Sequence, residues 1–344
     1  MVAKTITLRD LAEELDVSMS TVSCAMRGMP NISEETRRRV VEVANKLGYR
    51  PSFVARQLRQ NAKRKKVVAE NLEIAFMLRD CLQYDPVYGR MVFGCSEQLA
   101  AAGHHNHLLA PSSQLGPELP VGIVSQRFDG VILSGHIDID FIKLIAVNDM
   151  PMVILGNYDG IEGQYFNISL DIVGMINQLL NCCFEKGHRR IAFVSKNRQI
   201  AFERHCEEVY ETWMKAKGLW DPVMAESLND TFGVPAVQIQ KLLSLSVPPT
   251  AIVTLDLDLA RKIEDYIAVH HKHYINKIHF ACSIMNNEHA DARYDVAVVN
   301  YSEMGAAAAR LLPEVIRNPE MPVQRLVVSA KLIKSAVASM ASRT

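Results

Sequence analysis

Four hydroxyl side chains, Ser18, Ser20, Thr21 and Ser23, stand close together near the N-terminus, with Met19 among them. Hydroxyl groups donate and accept hydrogen bonds, and a flexible thioether packs against a methyl group, so this set could contact the edges of nucleic-acid bases. Such side chains can read a base sequence only if one helix directs them outward together.

The spacing of apolar residues predicts two short helices that are separated by a tight turn. Thr7 occupies an N-cap position of the first helix. The apolar residues that follow recur at helical spacing: Leu8, Leu11, Ala12 and Leu15. After an interruption at residues 16–18, Ser18 can cap a second helix that buries Val22 and Ala25. In a helix-turn-helix this second helix enters the major groove of DNA, whereas an ordinary helical hairpin would only expose a polar face to solvent.

The order of residues is more specific than their spacing. The sequence from Thr7 to Leu58 contains T-x-x-D-L-A-x-x-x-x-V-S-x-x-T-V-S-x-x-x-x-G-x-P-x-I-S-x-x-T-R-x-R-V, followed by L-G-Y-x-P-S-x-x-A-R-x-L. This pattern resembles the headpiece of the lactose/galactose repressor family of bacterial transcription regulators. The resemblance implies a three-helix headpiece, a short hinge helix and a large ligand-sensing core that dimerises.

Two headpiece residues depart from the family pattern. Asp16 stands where the family usually has Gly, at a turn position that we expect to need a positive φ, and Asp tolerates that conformation better than most residues. Cys24 stands where the family usually has an Arg whose guanidinium reads guanine. The base preference at that step is therefore left open.

A third helix is predicted to complete the headpiece core, with Ser33 as its cap and Gly48 as its stop. Its inward positions are Val40, Val41, Ala44 and Leu47. Arginines 37–39 lie near the start of this helix, where they could contact phosphates or remain solvated.

The segment after Tyr49 is predicted to be a hinge. Residues 52–58 are too few for a helix that is stable alone, because isolated helices shorter than about 12 residues are marginal. The resemblance implies that two such hinges fold together in the minor groove and that Leu58 wedges between base pairs, although it could be only a linker residue. A basic linker follows at residues 60–68. The residues that we predict to contact DNA are Thr7, Leu8, Ser18, Met19, Ser20, Thr21, Ser23, Arg27, Ser33, Tyr49, Ala55, Arg56 and Leu58.

Composition and charge locate the polyanion partner at the front of the chain. The 344 residues, 49% of them hydrophobic, can fill two or three domains. Residues 1–66 hold 14 Lys and Arg against 7 Asp and Glu, a net of +7, which leaves 24 against 31, a net of −7, for the remainder. An acidic core is repelled by phosphate, so we expect it to sense ligands and to dimerise. The sequence has no apolar run of about 18 residues and no signal-like N-terminus, and its seven scattered cysteines fit a reduced, cytoplasmic protein.

From Leu72 onward, short apolar runs alternate with amphipathic helices, which is typical of an α/β fold with parallel sheets. The series restarts after residue 170, so we predict two doubly wound lobes. The resemblance implies a periplasmic-binding-protein-like core. The predicted domains are a headpiece (1–50), a hinge and linker (51–71), and a core (72–344). Within the core, the N-lobe is 72–165 plus 299–322 and the C-lobe is 166–298 plus 323–344.

A small effector would bind at the carboxyl ends of the core strands. The candidate residues are Asp85, Tyr88, Asp138, Arg204, Cys206, Phe232, Asp256 and Tyr301. Each aromatic residue among them could instead be packing. Cys206 stands at the place of a ligand-gripping Arg of the family, residues 282–285 replace a G-F-D-D motif, and Leu255-Asp256 replaces an N-D pair. Unpaired sugar hydroxyls each cost about 1–3 kcal/mol, so these departures favour a less polar ligand or none.

Other function classes have little support in the sequence. The histidine clusters 104–107 and 270–273 lack carboxylate or cysteine partners at metal-ligand spacing, so we expect solvated side chains there and no metal. No catalytic or nucleotide-cofactor motif occurs. The sequence thus predicts a DNA-binding transcription regulator, a repressor that acts on an operator in double-stranded DNA as a homodimer or tetramer. The alternatives are the same role without a small effector, and a solute-binding protein or enzyme whose N-terminus serves only assembly.

Overall fold

The computed structural model describes residues 8–26, 32–47, 71–80, 86–110, 119–120, 123, 127–148, 150–229, 233–285 and 291–335. The chain divides into two compact units. The first is Met1–Ile168 with Ser302–Arg325, and the second is Ser169–Tyr301 with Leu326–Thr344. Within the described ranges, none of the helices has the length and apolar character needed to cross a bilayer.

The headpiece contains three helices, as predicted: α1 (Leu8–Leu15), α2 (Met19–Met26) and α3 (Glu34–Lys46). They share one apolar core, which consists of Leu11, Ala12, Leu15, Val22, Ala25, Val40 and Ala44. Leu47 is partly buried against this core. The prediction for Val41 is wrong, because its side chain is 43% exposed. The stop predicted at Gly48 lies outside the described residues.

The turn between α1 and α2 has the conformation that the sequence predicts. Asp16 has a φ of 52°. Its N–H donates to the carbonyl of Glu13 (3.4 Å), and the N–H of Val17 donates to the carbonyl of Ala12 (3.1 Å). These two bonds form a Schellman motif, in which the residue after the helix adopts the left-handed conformation. Val17 completes the motif by packing against the headpiece core.

The conformation of Asp16 gives a direct test of this turn. We expect Asp16→Gly to leave α1 and α2 as stable as before or more stable by up to about 1 kcal/mol, because Gly adopts a positive φ without a steric cost. Glu14→Gly is the matched control. Glu14 lies inside α1, where Gly costs roughly 0.5–1 kcal/mol. Hydrogen exchange of the α1 and α2 amides in the full chain measures both effects, and equal losses in the two variants would contradict the assignment of the turn.

The first of two six-stranded sheets lies mainly in the first unit. Its strands are β1 (Glu73–Arg79), β2 (His105–Leu109), β3 (Gly130–Gly135), β4 (Met152–Leu155), β5 (Phe166–Leu170) and β11 (Arg325–Val328). The strand order is β11-β5-β4-β3-β1-β2, and the pairs among β1 to β5 are parallel. The helices for which the structure gives full bounds beside this sheet are α4 (Pro86–Ala101), α5 (Ile139–Val147) and α10 (Tyr301–Arg317). The continuous apolar runs of the central strands fit a sheet that is covered on both faces.

The second unit repeats this architecture. Its strands are β6 (Ile191–Ser195), β7 (Ala225–Ser227), β8 (Ala251–Thr254), β9 (His279–Ile284), β10 (Asp295–Val298) and β12 (Lys331–Ile333). The strand order is β12-β10-β9-β8-β6-β7, with β12 antiparallel to β10. The helices are α6 (Ile172–Glu185), α7 (Ala201–Ala216), α8 (Ala236–Leu243) and α9 (Leu257–His270). The predicted α/β class with two doubly wound lobes is confirmed.

Candidate DNA interface and ligand-facing strand ends

The N-terminal turn of α2 presents an exposed surface above a buried stripe. Val22 and Ala25 face the headpiece core, whereas Met19 is 49% exposed and Ser18 is also exposed. The backbone N–H of Thr21 donates to Ser18 Oγ (3.0 Å), and Ser18 Oγ lies 2.8 Å from Thr21 Oγ1. Ser18 therefore caps α2, as predicted, and holds the Thr21 hydroxyl in a fixed position. This turn can offer an apolar group and an oriented hydroxyl to a groove.

The same turn carries no formal charge, because the sequence of α2 is MSTVSCAM. Its electrostatic attraction to phosphate comes from the backbone, since the first N–H groups of a helix carry a partial positive charge. Cys24 is half-buried on this helix and cannot replace the guanidinium of an Arg as a double hydrogen-bond donor. Affinity for a polyanion must therefore come mainly from cationic residues outside α2.

Helix α3 supplies cationic residues on the headpiece surface. Ser33 caps it, because Ser33 Oγ accepts from the N–H of Thr36 (3.2 Å). Arg38 is exposed and lies 3.9 Å from Glu42, a surface ion pair that contributes little to stability. Arg39 is exposed as well. Both side chains can reach phosphate without a large cost in folding energy.

Several of the predicted DNA contacts lie outside the described residues: Thr7, Arg27, Tyr49, Ala55, Arg56 and Leu58. Leu8 belongs to α1, and Ser20 and Ser23 belong to α2, but their side chains lie outside the described part of the structure. Thus Ser18, Met19, Thr21 and Ser33 are the predicted contacts whose side chains the structure describes.

Three of the effector candidates, Tyr88, Asp138 and Tyr301, lie at helix starts. Asp138 follows β3 and caps α5, where its carboxylate accepts from the N–H of Phe141 (2.7 Å). Tyr88 is half-buried in the first turn of α4, and Tyr301 is half-buried at the start of α10. Asp85 lies outside the described residues. The carboxylate of Asp138 therefore already has a structural function in the absence of a ligand.

In the second unit, Asp256 also caps a helix. Its carboxylate accepts from the N–H of Leu259 (2.8 Å) and lies 3.0 Å from Lys196 Nζ. Arg204 is exposed on α7. Cys206 is 0% exposed, and burial raises its pKa well above that of an ordinary thiol. Cys206 thus contributes packing to the core, where a ligand has no access to it. Phe232 lies outside the described residues.

Three charged residues near strand ends are not among the residues predicted from the sequence: Arg79, Lys196 and Glu203. Arg79 is buried at the end of β1, with its guanidinium 3.8 Å from the centre of the Phe141 ring. Glu203 is buried, and its carboxylate accepts from the N–H groups of Lys196 (2.7 Å) and Asn197 (2.8 Å). Burial raises the pKa of Glu203 and outweighs these two hydrogen bonds. In the sequence, Arg79 is the last residue of an apolar strand and Lys196 directly follows one. A charged residue at such a position was the signal that could have identified both.

The histidine clusters have different environments. In the ranges that the structure describes, no three side chains of the His, Cys, Asp or Glu type are grouped to hold a metal ion. His105, His270 and His273 are exposed, in line with the prediction of solvated histidines. The prediction is wrong for His104, which is 6% exposed.

Comparisons with known proteins identify both parts of the chain. Residues 7–52 match the family described as bacterial regulatory proteins, lacI family, and residues 181–335 match the periplasmic binding protein-like domain. The chain is 26% identical over 268 residues to the HTH-type transcriptional regulator AglR of Rhizobium meliloti (strain 1021), covering 74% of this chain and 71% of the relative. It is 27% identical over 256 residues to catabolite control protein A of Priestia megaterium, covering 72% of this chain and 73% of the relative.

The fold also has a close counterpart among solved structures. The lac repressor dimer bound to operator and the anti-inducer ONPF superposes with a TM-score of 0.65 at 16% identity, covering 96% of this chain and 98% of that chain. This likeness concerns the fold, and it confirms the periplasmic-binding-protein-like core that the sequence predicts. The family assignment comes from the sequence matches. The chain belongs to the LacI family of bacterial regulatory proteins and is a DNA-binding transcriptional regulator.

Proposed function

We propose that this regulator is a repressor that binds a pseudo-palindromic operator as a homodimer. The observation that carries the proposal is the exposed N-terminal turn of α2, with Met19 and the Ser18–Thr21 hydroxyl pair above a buried stripe. A helix of this kind reads one half-site, and a two-fold symmetric dimer reads two. The solved lac repressor of similar fold is a dimer bound to operator, which supports the same arrangement here.

The proposed contacts divide into base readers and backbone contacts. Met19 packs against a thymine methyl group, and Thr21, oriented by Ser18, bonds to a base edge or a phosphate. Ser20 and Ser23 join them on the basis of the sequence alone. Arg38 and Arg39 add phosphate contacts, and Leu58 opens the minor groove at the hinge.

The charge distribution supports a different role for each domain. Residues 1–50 read DNA, residues 51–71 connect, and residues 72–344 sense and dimerise. The net charge of +7 over residues 1–66 supports this division, because the remainder, at −7, is repelled by phosphate. The proposed location is the cytoplasm. The chain has no proposed enzymatic role or cofactor, because its relatives are transcription regulators.

The effector of this regulator is proposed to differ from a neutral sugar. Asp138 and Asp256, which could accept sugar hydroxyls, are engaged in helix caps, and Asp256 also pairs with Lys196. A ligand that used them would have to break these contacts first. We therefore propose a less polar effector, and Tyr88, Arg204, Phe232 and Tyr301 remain its candidate contacts from the sequence. The engaged carboxylates favour a second candidate as well, the same repressor without a small effector.

Selection of duplexes from a random library by the full chain tests the DNA role. We expect Thr21→Ala and Met19→Ala each to weaken binding to the selected duplex by about 5- to 150-fold, because a good base contact contributes roughly 1–3 kcal/mol. Binding to scrambled duplex should change little. Val41→Ala is the matched control, since Val41 is exposed on α3 of the same headpiece and has no proposed contact.

Equal affinity of the wild-type chain for selected and scrambled duplexes would refute sequence-specific binding. Unchanged affinity in both α2 variants would refute the assigned reading surface. Adding apolar and aromatic small molecules to the same assay, beside sugars and nucleosides, tests the first effector candidate. A change in DNA affinity caused by an apolar compound supports it, and a response to a sugar alone contradicts it.

A further inference from the structure

The first histidine cluster contacts the beginning of β1, the first strand after the headpiece. His104 Nδ1 lies 3.3 Å from the backbone N of Leu72, one residue before β1. His107 Nε2 contacts the carboxylate of Glu73, the first residue of β1. The two histidines therefore contact Leu72 and Glu73, the residues that connect the predicted linker to the sheet.

The ring of His104 is held in place from both sides. Gly103, with a φ of 76°, ends helix α4, and the N–H of His104 donates to the carbonyl of Leu99 (2.9 Å). The second ring nitrogen, Nε2, lies 3.3 Å from Nη2 of Arg317 in the last turn of α10. We call the contact of His104 with the Leu72 amide, with Arg317 beside it, the β1 anchor.

Both ring nitrogens of His104 face hydrogen-bond donors, and this makes the anchor sensitive to protonation. A neutral imidazole has one nitrogen that accepts and one that donates, so it can accept from only one of Leu72 and Arg317. A charged imidazole accepts from neither, whichever tautomer was present before. Its charge would also lie beside the Arg317 guanidinium and the neighbouring His105. Burial, followed by these two groups, lowers the pKa of His104.

The neighbouring contact does not need an accepting ring nitrogen. His107 can donate to the carboxylate of Glu73 whether its ring is neutral or charged. This hydrogen bond is the main cause that lowers the pKa of Glu73. Protonation of His104 therefore breaks its contact with Leu72, whereas the contact of His107 with Glu73 needs only a donor, so the two histidines are matched for a test.

We propose that His104 is a pH-dependent anchor of the start of β1, and that its protonation frees the Leu72 amide and weakens the attachment of the DNA-binding headpiece. The last step rests on the proposed function, in which the segment before Leu72 connects the headpiece to the core. A His with a lowered folded pKa contributes its full stabilisation above its unfolded pKa of about 6.5, and this stabilisation is lost progressively as the pH falls from that value to the folded pKa. The anchor thus opens more readily as the pH falls below about 6.5.

Hydrogen exchange of the full chain tests the anchor without DNA. The protection of the peptide that contains Leu72 is compared between about pH 7.5 and about pH 5.5, with the β3 peptide of the same sample as the internal reference for the chemistry of exchange. We expect the wild-type peptide to lose protection by about tenfold at the lower pH, relative to β3. His104→Asn should abolish this pH dependence, because its amide oxygen accepts at any pH, whereas His107→Asn should retain it.

The DNA step is measured with the duplex selected by the wild-type chain. We expect the affinity of wild-type protein and of His107→Asn to fall by about tenfold more than that of His104→Asn over the same pH range. A Leu72 peptide whose protection does not change with pH overturns the anchor. If the protection of the Leu72 peptide changes with pH while the pH profile of DNA affinity is the same in all three proteins, the proposed coupling to the headpiece is overturned. If no duplex is bound specifically at any pH, the proposed function fails, while the exchange result still decides on the anchor.

Discussion

Replacing Asp295 with alanine is expected to lower the free energy of unfolding of the second unit by about 3–5 kcal/mol. Asp295 is 0% exposed at the start of β10. Its carboxylate accepts from Lys186 Nζ (2.9 Å), His279 Nε2 (2.6 Å) and the backbone N–H of Ser335 (2.6 Å). Without it, the Lys186 ammonium, whose side chain is 13% exposed, would remain buried without its counter-ion.

The network around Asp295 joins three parts of the second unit. Lys186 caps α6, His279 begins β9, and Ser335 follows β12 at the edge of the sheet. Lys186 Nζ also donates to Ser335 Oγ (2.6 Å). Loss of the carboxylate therefore weakens the attachment of β12 as well as the ion pair.

The carboxylate of Asp295 is ionised throughout the neutral pH range. Burial by itself would raise the pKa of Asp295, but the hydrogen bonds from His279, Lys186 and Ser335 outweigh burial and hold the pKa far below its usual value. A carboxylate with a lowered folded pKa contributes its stability above the unfolded value of about 3.9 and loses it only as the pH falls towards the folded pKa. The stabilisation that comes from the ionisation of Asp295 is thus fully present at neutral pH.

Urea unfolding of the full chain measures this prediction, with Glu211→Gln as the control. Glu211 pairs with Lys215 (2.5 Å) on the exposed face of α7, and such surface pairs contribute about 0.3–0.5 kcal/mol. Both variants remove one carboxylate: Asp295→Ala removes it from a buried network, whereas Glu211→Gln replaces it on the surface with an amide of similar size. If Asp295→Ala were no less stable than Glu211→Gln, the network would be of no structural importance.

The sequence predicts elements well where local patterns are strong. The apolar runs of β1, β3, β6 and β9 and the caps at Ser18 and Ser33 are all local signals, and each led to the element that the structure contains. Three-residue β7 and the exposed edge strand β11 have no such pattern. They are strands because a neighbouring strand offers its backbone groups, which only the assembled sheet determines.

Side-chain roles at the strand ends are harder to predict. An Asp after a strand can cap the next helix or bind a ligand. The sequence predicts that Asp138 and Asp256 bind a ligand, whereas in the structure both cap a helix. Helical spacing would have resolved Cys206, because it recurs with Tyr210 and Trp213 on the buried face of α7. The pairing of Lys186 with Asp295 joins residues 109 positions apart, and no periodicity connects them.

The packing of α4 against α10 is the other feature with a large expected effect. A Cβ at Gly94 would lie 1.9 Å from the carbonyl oxygen of Ser302, and a Cβ at Gly305 would lie 1.9 Å from that of Met91. The two helices thus meet backbone to backbone, and a methyl group at either position forces them apart. Overpacking of this kind typically costs about 1–3 kcal/mol, and we expect Gly94→Ala to reach the upper end because backbone cannot rotate away.

Gly89 on the same helix makes this prediction specific. A Cβ at Gly89 would meet nothing within 4 Å, so Gly89→Ala should stabilise the chain by roughly 0.5–1 kcal/mol through the lower entropy of the unfolded state. The two substitutions are chemically identical and lie five positions apart on α4. Thermal unfolding of both variants should therefore move the melting temperature in opposite directions, and a shift of the same sign in both would show that α4 does not approach α10 at Gly94.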